Sequence, residues 1–330
     1  MKTIAMALAA ALMITAPPYA AKSTAIVQDR SYVTPQQMVD VGGGRRMNLN
    51  CMGHGTPVVV FDAGLGNWNQ LWGLVQPAIA RKTTACSYDR AGLGFSDPSD
   101  GDGSSAVIVE DLHKLLVNAR VKPPYVLVGH SYGGMSMRLF AYKYFSEVLG
   151  MVLVDPSTRD LAPRKEKLPE PVALQRTQEA EESEKKANRC INAAEAGFQK
   201  DSAVYRECVD DKPNMRYSPD IDAVYQRLQL RPSYLKARRK EEIAIGGSSA
   251  DQLREASRTY GAVPLIVLTQ SEAAGPHPST SGFVKAHEKL AALSTIGEDR
   301  IVGDSSHNIP FDQPDAVVKA IDDVLAQLRK

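Results

Sequence analysis

A serine flanked by glycines follows a short apolar run near the middle of the chain. The sequence Gly129-His130-Ser131-Tyr132-Gly133 comes directly after residues 125–128, a run typical of a buried strand. Residues 133–145 then have the pattern of a helix. A G-x-S-x-G motif between a strand and a helix forms a tight turn that tolerates only small neighbours and exposes the serine hydroxyl. The motif therefore predicts a strand–turn–helix unit with Ser131 as the candidate nucleophile.

Short apolar runs alternate with helical segments on both sides of this motif. Strands are predicted at residues 58–61, 85–88 and 151–154, and again at 264–268 and 300–302, with a β-hairpin at 38–51 around three consecutive glycines. Helices are predicted between them, because apolar residues recur at helical spacing. Alternation of this kind predicts an α/β fold with a mostly parallel sheet and helices on both faces.

The composition changes after Asp160. From there to about Tyr260 charged residues are dense and no strand-like run occurs. We predict a helical insertion at residues 161–260, which divides an α/β core into a first part at 22–160 and a second part at 261–330.

The first residues have the pattern of a secretory signal peptide. A lysine near the start is followed by an Ala-rich apolar run that is too short to span a bilayer and then by two prolines, so residues 1–21 are predicted to be removed. The protein is expected to be periplasmic or secreted, with no stable membrane anchor after signal removal. The net charge of +1 gives no reason to expect nucleic acid as a partner.

The predicted export decides how the four cysteines are interpreted. In an oxidising compartment an even number of cysteines suggests two disulfides, the alternative being four unpaired buried thiols. Cys190 and Cys208 lie in the predicted insertion and could pair locally, whereas Cys51 and Cys86 each lie in a predicted strand. No CxxC pair or His/Cys spacing suggests zinc, and we expect neither a metal nor an organic cofactor.

A serine nucleophile needs a base and a residue that orients the base. We assign the base to His307, because it lies in a loop just past the last predicted strand, at the edge where functional residues of such a sheet collect. The preferred acid is Asp155, which ends the strand at 151–154 and reaches the same edge one helix and one strand after Ser131. Glu272, just beyond the strand at 264–268, is the main alternative, and Asp304 is a third candidate.

The oxyanion of an acyl-transfer intermediate needs two N–H donors. One is expected from Tyr132, the residue after the nucleophile. The other is expected from Leu65, in the glycine-containing loop after the strand at 58–61. These glycines do not form a dinucleotide-binding motif, because the third glycine of the G-x-G-x-x-G pattern is missing.

These motifs resemble the α/β-hydrolase superfamily, specifically its serine esterase and peptidase-like branch with a helical lid. The resemblance covers about two-thirds of the chain and is carried by residues 58–66, 88–97, 126–134, 151–156 and 306–314. It implies an eight-stranded sheet in which the strands of Cys51 and Cys86 are neighbours, so that these cysteines could form a disulfide. It also implies that Asp89, Arg90 and Ser96 brace the loop near the oxyanion hole.

The resemblance also bears on the acid and on the reaction. Many members of the superfamily carry an aspartate after the seventh strand, which this chain lacks, and this strengthens Asp155. Epoxide hydrolase and dehalogenase relatives use an aspartate nucleophile, so Ser131 argues against both. The expected function is hydrolysis of a small-molecule carboxylic ester through an acyl-enzyme. Amide or peptide hydrolysis on the same triad is the alternative, and a catalytically silent ligand-binding module is the alternative of another class.

Overall fold

Eight strands form a single sheet in the computed structural model, which describes residues 21–162, 170–256, 258–274 and 278–329. The strands are β1 (Gln37–Gly42), β2 (Arg45–Met52), β3 (Val58–Asp62), β4 (Ala85–Tyr88), β5 (Tyr125–His130), β6 (Val148–Val154), β7 (Leu265–Gln270) and β8 (Glu298–Val302). Their order across the sheet is β1-β2-β4-β3-β5-β6-β7-β8. Only β2 is antiparallel to its neighbours, β1 and β4, and the remaining pairs are parallel. The predicted eight-stranded, mostly parallel α/β-hydrolase sheet is thereby confirmed.

Eleven α-helices accompany the sheet within the same residues. They are α1 (Gln76–Ala80), α2 (Ser105–Asn118), α3 (Tyr132–Lys143), α4 (Glu170–Glu195), α5 (Ala203–Cys208), α6 (Pro219–Gln229), α7 (Pro232–Gly246), α8 (Ser248–Ala256), α9 (Pro278–Ala291), α10 (Ile309–Asp312) and α11 (Pro314–Gln327). Short 3₁₀ turns occur at Arg30–Tyr32, Asn69–Trp72, Phe145–Glu147 and Ser271–Ala274.

The central strands are apolar on both faces because helices cover both sides of the sheet. In β3, Val58 and Val60 belong to one buried cluster, together with apolar residues of α2, α3 and α8. Val59 and Phe61 belong to a second cluster, together with residues of α1 and α11. This two-residue period is the geometry of a strand, whose successive side chains alternate between faces. The continuous apolar runs in the sequence thus follow from burial on both faces.

Five helices, α4 to α8, lie between β6 and β7, in the segment whose composition is rich in charge. Three of them, α6, α7 and α8, are tied to the core by apolar packing. Leu253 of α8 packs into the cluster that covers α3. Tyr234 of α7 and Leu228 of α6 form a smaller cluster with Trp68 and Leu93, which lie in loops at the edge of the sheet. The segment therefore contacts the region where the candidate site residues collect.

Both disulfides join cysteines that the sequence analysis named as possible partners. Cys51 and Cys86 are opposite one another on β2 and β4 and are bonded, and Cys190 of α4 is bonded to Cys208 at the end of α5. All four cysteines are thus paired.

Residues 1–20 of the predicted signal peptide lie outside the described residues, as do 163–169 and 257 of the predicted insertion. In the part of the chain that is described, no helix combines the length and the apolar character needed to cross a bilayer.

Candidate active site

Ser131 occupies the turn between β5 and α3 in a backbone conformation that L-residues rarely adopt, with φ of 52°. Its glycine neighbours are required by close backbone packing. A Cβ atom added to Gly129 would lie 2.6 Å from the carbonyl oxygen of Gly133, and one added to Gly133 would lie 2.5 Å from that of Asp62. The turn is therefore held in a strained conformation by its surroundings, as in a nucleophile elbow.

His307 lies between β8 and α10 and contacts the serine directly. Its Nε2 atom is 2.9 Å from Ser131 Oγ, and its Nδ1 atom is 2.5 Å from Asp155 Oδ2. The imidazole is about half exposed, whereas the Asp155 side chain is fully buried. The three residues thus form a continuous chain of hydrogen bonds from hydroxyl to imidazole to carboxylate, although they come from three separate segments of the sequence.

Asp155 directly follows β6 and has a positive φ of 44°. Two further hydrogen bonds fix its carboxylate. The main-chain N–H of Gln270 donates to Oδ1 at 3.1 Å and the side-chain amide of Gln270 donates to Oδ2 at 2.9 Å. Glu272 instead forms an ion pair with Lys22 at 2.9 Å. Within the described residues, neither Glu272 nor Asp304 is bonded to His307. Of the three candidate acids, Asp155 is the one that the structure brings to the imidazole.

His130, to which the sequence assigned no role, contacts the loop of the base. It is buried, and its Nε2–H donates a 2.8 Å hydrogen bond to the main-chain carbonyl oxygen of His307. Burial, together with the nearby His307, lowers the pKa of His130 to about 3, so that the ring is neutral at ordinary pH. The only sequence signal for this residue was its position next to Ser131 in the motif.

The two predicted oxyanion donors flank the serine. Tyr132 is the first residue of α3, so its N–H precedes the intrahelical hydrogen bonds. Leu65 follows Gly64, which packs against the nucleophile: a Cβ atom added to Gly64 would lie 3.3 Å from Ser131 Cβ. Among the described residues, neither amide has a hydrogen-bond acceptor. Their role as oxyanion donors stays a prediction.

A buried ion cluster holds the loop that carries Leu65. Arg90 donates to Asp62 Oδ1 at 2.7 Å, to the carbonyl oxygen of Gly64 at 2.7 Å and to both carboxylate oxygens of Glu241. Glu241, from α7, also accepts a 2.8 Å hydrogen bond from the N–H of Gly66. Burial raises the pKa of Asp62 in spite of the arginine beside it. Arg90 thus lies where the resemblance implied, whereas Glu241 was not anticipated, because it comes from a distant helix.

Asp89 and Ser96 shape the neighbouring loop. The Asp89 carboxylate accepts hydrogen bonds from Asn48 Nδ2 and from the main-chain N–H groups of Asn69 and Phe95, at 2.9 to 3.1 Å. Ser96 Oγ donates to the carbonyl oxygen of Asp89 at 2.6 Å. Burial raises the pKa of Asp89 to about 6, although the hydrogen bonds favour its ionised form.

A cavity of about 430 Å³ opens beside the nucleophile. The lining residues are Ser131, Asp155, Ser157, Thr158, Arg159, Ala162, Ile245, Phe283 and His307. In the described ranges, no group of three His, Cys, Asp or Glu side chains is arranged to hold a metal ion. The chemistry that these residues can perform is nucleophilic attack by a serine next to a base.

The chain belongs to the alpha/beta hydrolase family, whose sequence profile matches residues 54–320. It is 39% identical over 104 residues to the protein YqjL of Bacillus subtilis (strain 168), a match that covers 32% of this chain and 41% of YqjL. Among solved structures, the epoxide hydrolase CorEH is similar with a TM-score of 0.64 and 21% identity, covering 89% of this chain and 98% of that one. A thermophilic esterase from Thermogutta terrifontis is similar with a TM-score of 0.61 and 19% identity, covering 90% and 100%. The sequence profile therefore shows the family, and the solved structures share the fold.

Proposed function

We propose that this protein is a serine hydrolase that cleaves a carboxylic ester through an acyl-enzyme. The observation that carries the proposal is the hydrogen-bonded series from Ser131 Oγ through His307 to Asp155. Such a series makes a serine hydroxyl nucleophilic, because the imidazole takes the proton as the oxygen attacks and the carboxylate stabilises the imidazolium that forms.

The reaction has two halves on these residues. Ser131 attacks the ester carbonyl, His307 accepts the hydroxyl proton, and the amides of Leu65 and Tyr132 donate to the oxyanion. His307 then protonates the leaving alkoxide, and the acyl group remains on Ser131. A water molecule, deprotonated by His307, attacks the acyl-enzyme and releases the acid, which restores the free serine. The buried ion cluster around Arg90 keeps the donor loop in place, and the elbow at Ser131 keeps the nucleophile in place. Both lower the cost of reorganisation during the reaction.

Serine at the elbow favours ester over epoxide chemistry. The superfamily resemblance implies an aspartate nucleophile for epoxide hydrolases, whereas this chain has Ser131. Esters are favoured over amides because an alkoxide leaves more easily than an amine. The proposed substrate is a small-molecule ester, and neither nucleic acid nor a membrane is a proposed partner.

The setting of this activity is proposed from the sequence. Residues 1–21 serve as the signal peptide of a periplasmic or secreted enzyme, which the two disulfides support. Residues 161–260 form a helical lid that is inserted between core segments 22–160 and 261–330 and borders the substrate cavity. Two contacts of α7 support this assignment, since Glu241 bonds to Gly66 and Ile245 lines the cavity.

Hydrolysis of p-nitrophenyl esters from short to long acyl chains tests the proposal. The mature protein should release p-nitrophenol and the Ser131→Ala variant should not. A fluorophosphonate probe should label the wild type at Ser131 and leave the variant unlabelled. Labelling without ester turnover would shift the assignment to amide or peptide substrates. Absence of both labelling and turnover would favour a silent ligand-binding module.

A further inference from the structure

The cavity beside Ser131 is lined by both apolar and polar residues. The apolar ones, Ala162, Ile245 and Phe283, are called the apolar wall below, whereas the polar ones include Ser157, Thr158 and Arg159 of the loop after β6. Asp155 also lines the cavity, but its carboxylate is buried and bonded to His307 and Gln270. Among the lining residues that the structure describes, Arg159 is the one Lys or Arg side chain. The exposed charge in the cavity is therefore positive.

The backbone that carries Arg159 is fixed by two other arginines. Arg138, which is buried, donates to both carboxylate oxygens of Asp160 at 3.0 and 2.8 Å. Arg254 donates to the carbonyl oxygens of Arg159 and Asp160 at 2.9 and 3.0 Å. The loop is thus held on one side by a buried ion pair and on the other by a guanidinium that bonds its main chain. A side chain on such a loop keeps its base in one place, which reduces the entropy lost on binding a ligand.

Arg159 differs from the two arginines that hold its loop. Arg138 pairs with Asp160, and Arg254 pairs with Asp251 at 2.8 Å. The guanidinium of Arg159 is exposed and, among the described residues, forms neither an ion pair nor a hydrogen bond. Its five N–H donors are consequently available at the wall of the cavity that holds the nucleophile.

A guanidinium in this position matches a planar anion. Arginine binds carboxylates through two parallel N–H···O hydrogen bonds and selects them over neutral groups of the same shape. Resting on the function proposed above, we propose that the substrates of Ser131 are esters that carry a carboxylate a few bonds from the scissile carbonyl, with Arg159 as the residue that binds it. The apolar wall would then contact the hydrocarbon between the two groups.

The test compares charged esters with neutral isosteres. On the acyl side, mono-p-nitrophenyl succinate, glutarate and adipate are each measured against the corresponding terminal amide. On the alcohol side, 4-carboxyphenyl butyrate is measured against 4-carbamoylphenyl butyrate. In at least one series, kcat/KM of the wild type should be about tenfold higher for the carboxylate. This ratio should decrease as ionic strength rises, because part of the contact is exposed to solvent.

Variants then assign the preference to one residue. Arg159→Gln should bring the ratio of charged to neutral kcat/KM close to one, and Arg159→Lys should retain part of it. Arg81→Gln is the matched control, since Arg81 is an exposed arginine next to α1 that does not line the cavity. Its ratio should equal that of the wild type.

The outcomes separate this inference from the proposed function. If neutral esters are hydrolysed and neither series shows a charge preference, the assignment of Arg159 is overturned and the serine hydrolase stands. An equal loss for charged and neutral esters in Arg159→Gln would also overturn it, because that result indicates a structural role. If no ester is hydrolysed and Ser131 resists labelling, the function fails and the inference fails with it.

Discussion

The imidazole of His130 donates a hydrogen bond to the main-chain carbonyl oxygen of His307, and the two rings lie 4.7 Å apart. The same ring packs against the loop of Leu65, since a Cβ atom added to Gly64 would lie 2.8 Å from His130 Nδ1. One buried side chain therefore contacts both the segment of His307, the proposed base, and the segment of Leu65, a proposed oxyanion donor.

Removing that contact should slow catalysis more than it weakens binding. In His130→Phe the ring shape is kept but the donor is lost, so His307 is held less firmly against Ser131. We expect kcat on a p-nitrophenyl ester to fall by about 10- to 100-fold, because small misplacements of catalytic groups have effects of this size. KM should change by less than about threefold. His130→Gln, which retains an N–H donor, should recover part of the rate, and equal rates in the two variants would contradict a positioning role.

The neutral state of His130 predicts an acid-sensitive fold. In the unfolded chain a histidine has a pKa near ~6.5, whereas burial lowers that of folded His130 to about 3. Between these values the unfolded state binds a proton that the folded state does not, so stability is lost as the pH falls. The contribution is about 1.4 kcal/mol per pH unit. Burial also lowers the pKa of His287, which acts in the same direction.

Urea unfolding at several pH values between 4 and 7 measures this slope. The His130→Phe variant should lose less stability per pH unit than the wild type, whatever its stability at neutral pH. His54→Asn is the control, because His54 is exposed. A slope in His130→Phe that equals the wild-type slope would show that His130 does not titrate between the two states.

Substitution of the acid distinguishes the candidates that the sequence left open. Asp155→Asn should lower kcat by about ten-thousand-fold, because the amide favours the wrong tautomer of His307 and leaves the imidazolium without a counter-charge. Glu272→Gln should retain most of the activity, since Glu272 pairs with Lys22 on the surface. A large loss in Glu272→Gln with an active Asp155→Asn would reverse the assignment.

The sequence predicted those parts of the fold and site that depend on local pattern. Apolar periodicity and glycine spacing predict the strands, the elbow at Ser131 and the burial of the sheet on both faces. The family match agrees with these features. His307 could be selected because the order of strands and loops limits which histidine reaches the edge of the sheet. Glu241 and Arg159 could not be selected, because their roles depend on how the insertion and the loop after β6 fold onto the core. In sequence both are ordinary charged residues without a motif that distinguishes them.

Glu241 should matter to both stability and rate. In Glu241→Gln the buried guanidinium of Arg90 loses one of its two carboxylate partners, and the N–H of Gly66 loses a charged acceptor. Breaking a buried ion pair costs about 3–5 kcal/mol, and kcat should fall because the loop of Leu65 is less firmly held. Glu242→Gln is the neighbouring control. Glu242 pairs with the partly exposed Arg238 and Arg239, so the expected change is within about 1 kcal/mol. Denaturant unfolding and ester kinetics check both, and matching values in the two variants would contradict the prediction.

The disulfide within the insertion should stabilise the chain without affecting the chemistry. Cys190 and Cys208 are 18 residues apart and join α4 to α5, away from the residues bonded to Ser131. The double variant Cys190→Ser/Cys208→Ser should lose about 3 kcal/mol of unfolding free energy, in the chain-entropy account of cross-links. Thermal unfolding under non-reducing conditions measures the loss. An unchanged Tm would show that the unfolded state gains no freedom when the link is removed.

The hydrogen bond from the N–H of Gly66 to Glu241 also joins α7 to the loop of Leu65. Gly66 has a φ of +67°, and a Cβ atom added there would lie 3.2 Å from Arg238 Cγ. Helix α7 therefore packs directly against the loop of Leu65. An outward movement of α7 would displace the loop of Leu65, which the proposed mechanism requires to stay in place. We therefore expect α7 to keep its position during turnover, so that substrate enters and product leaves without movement of this helix.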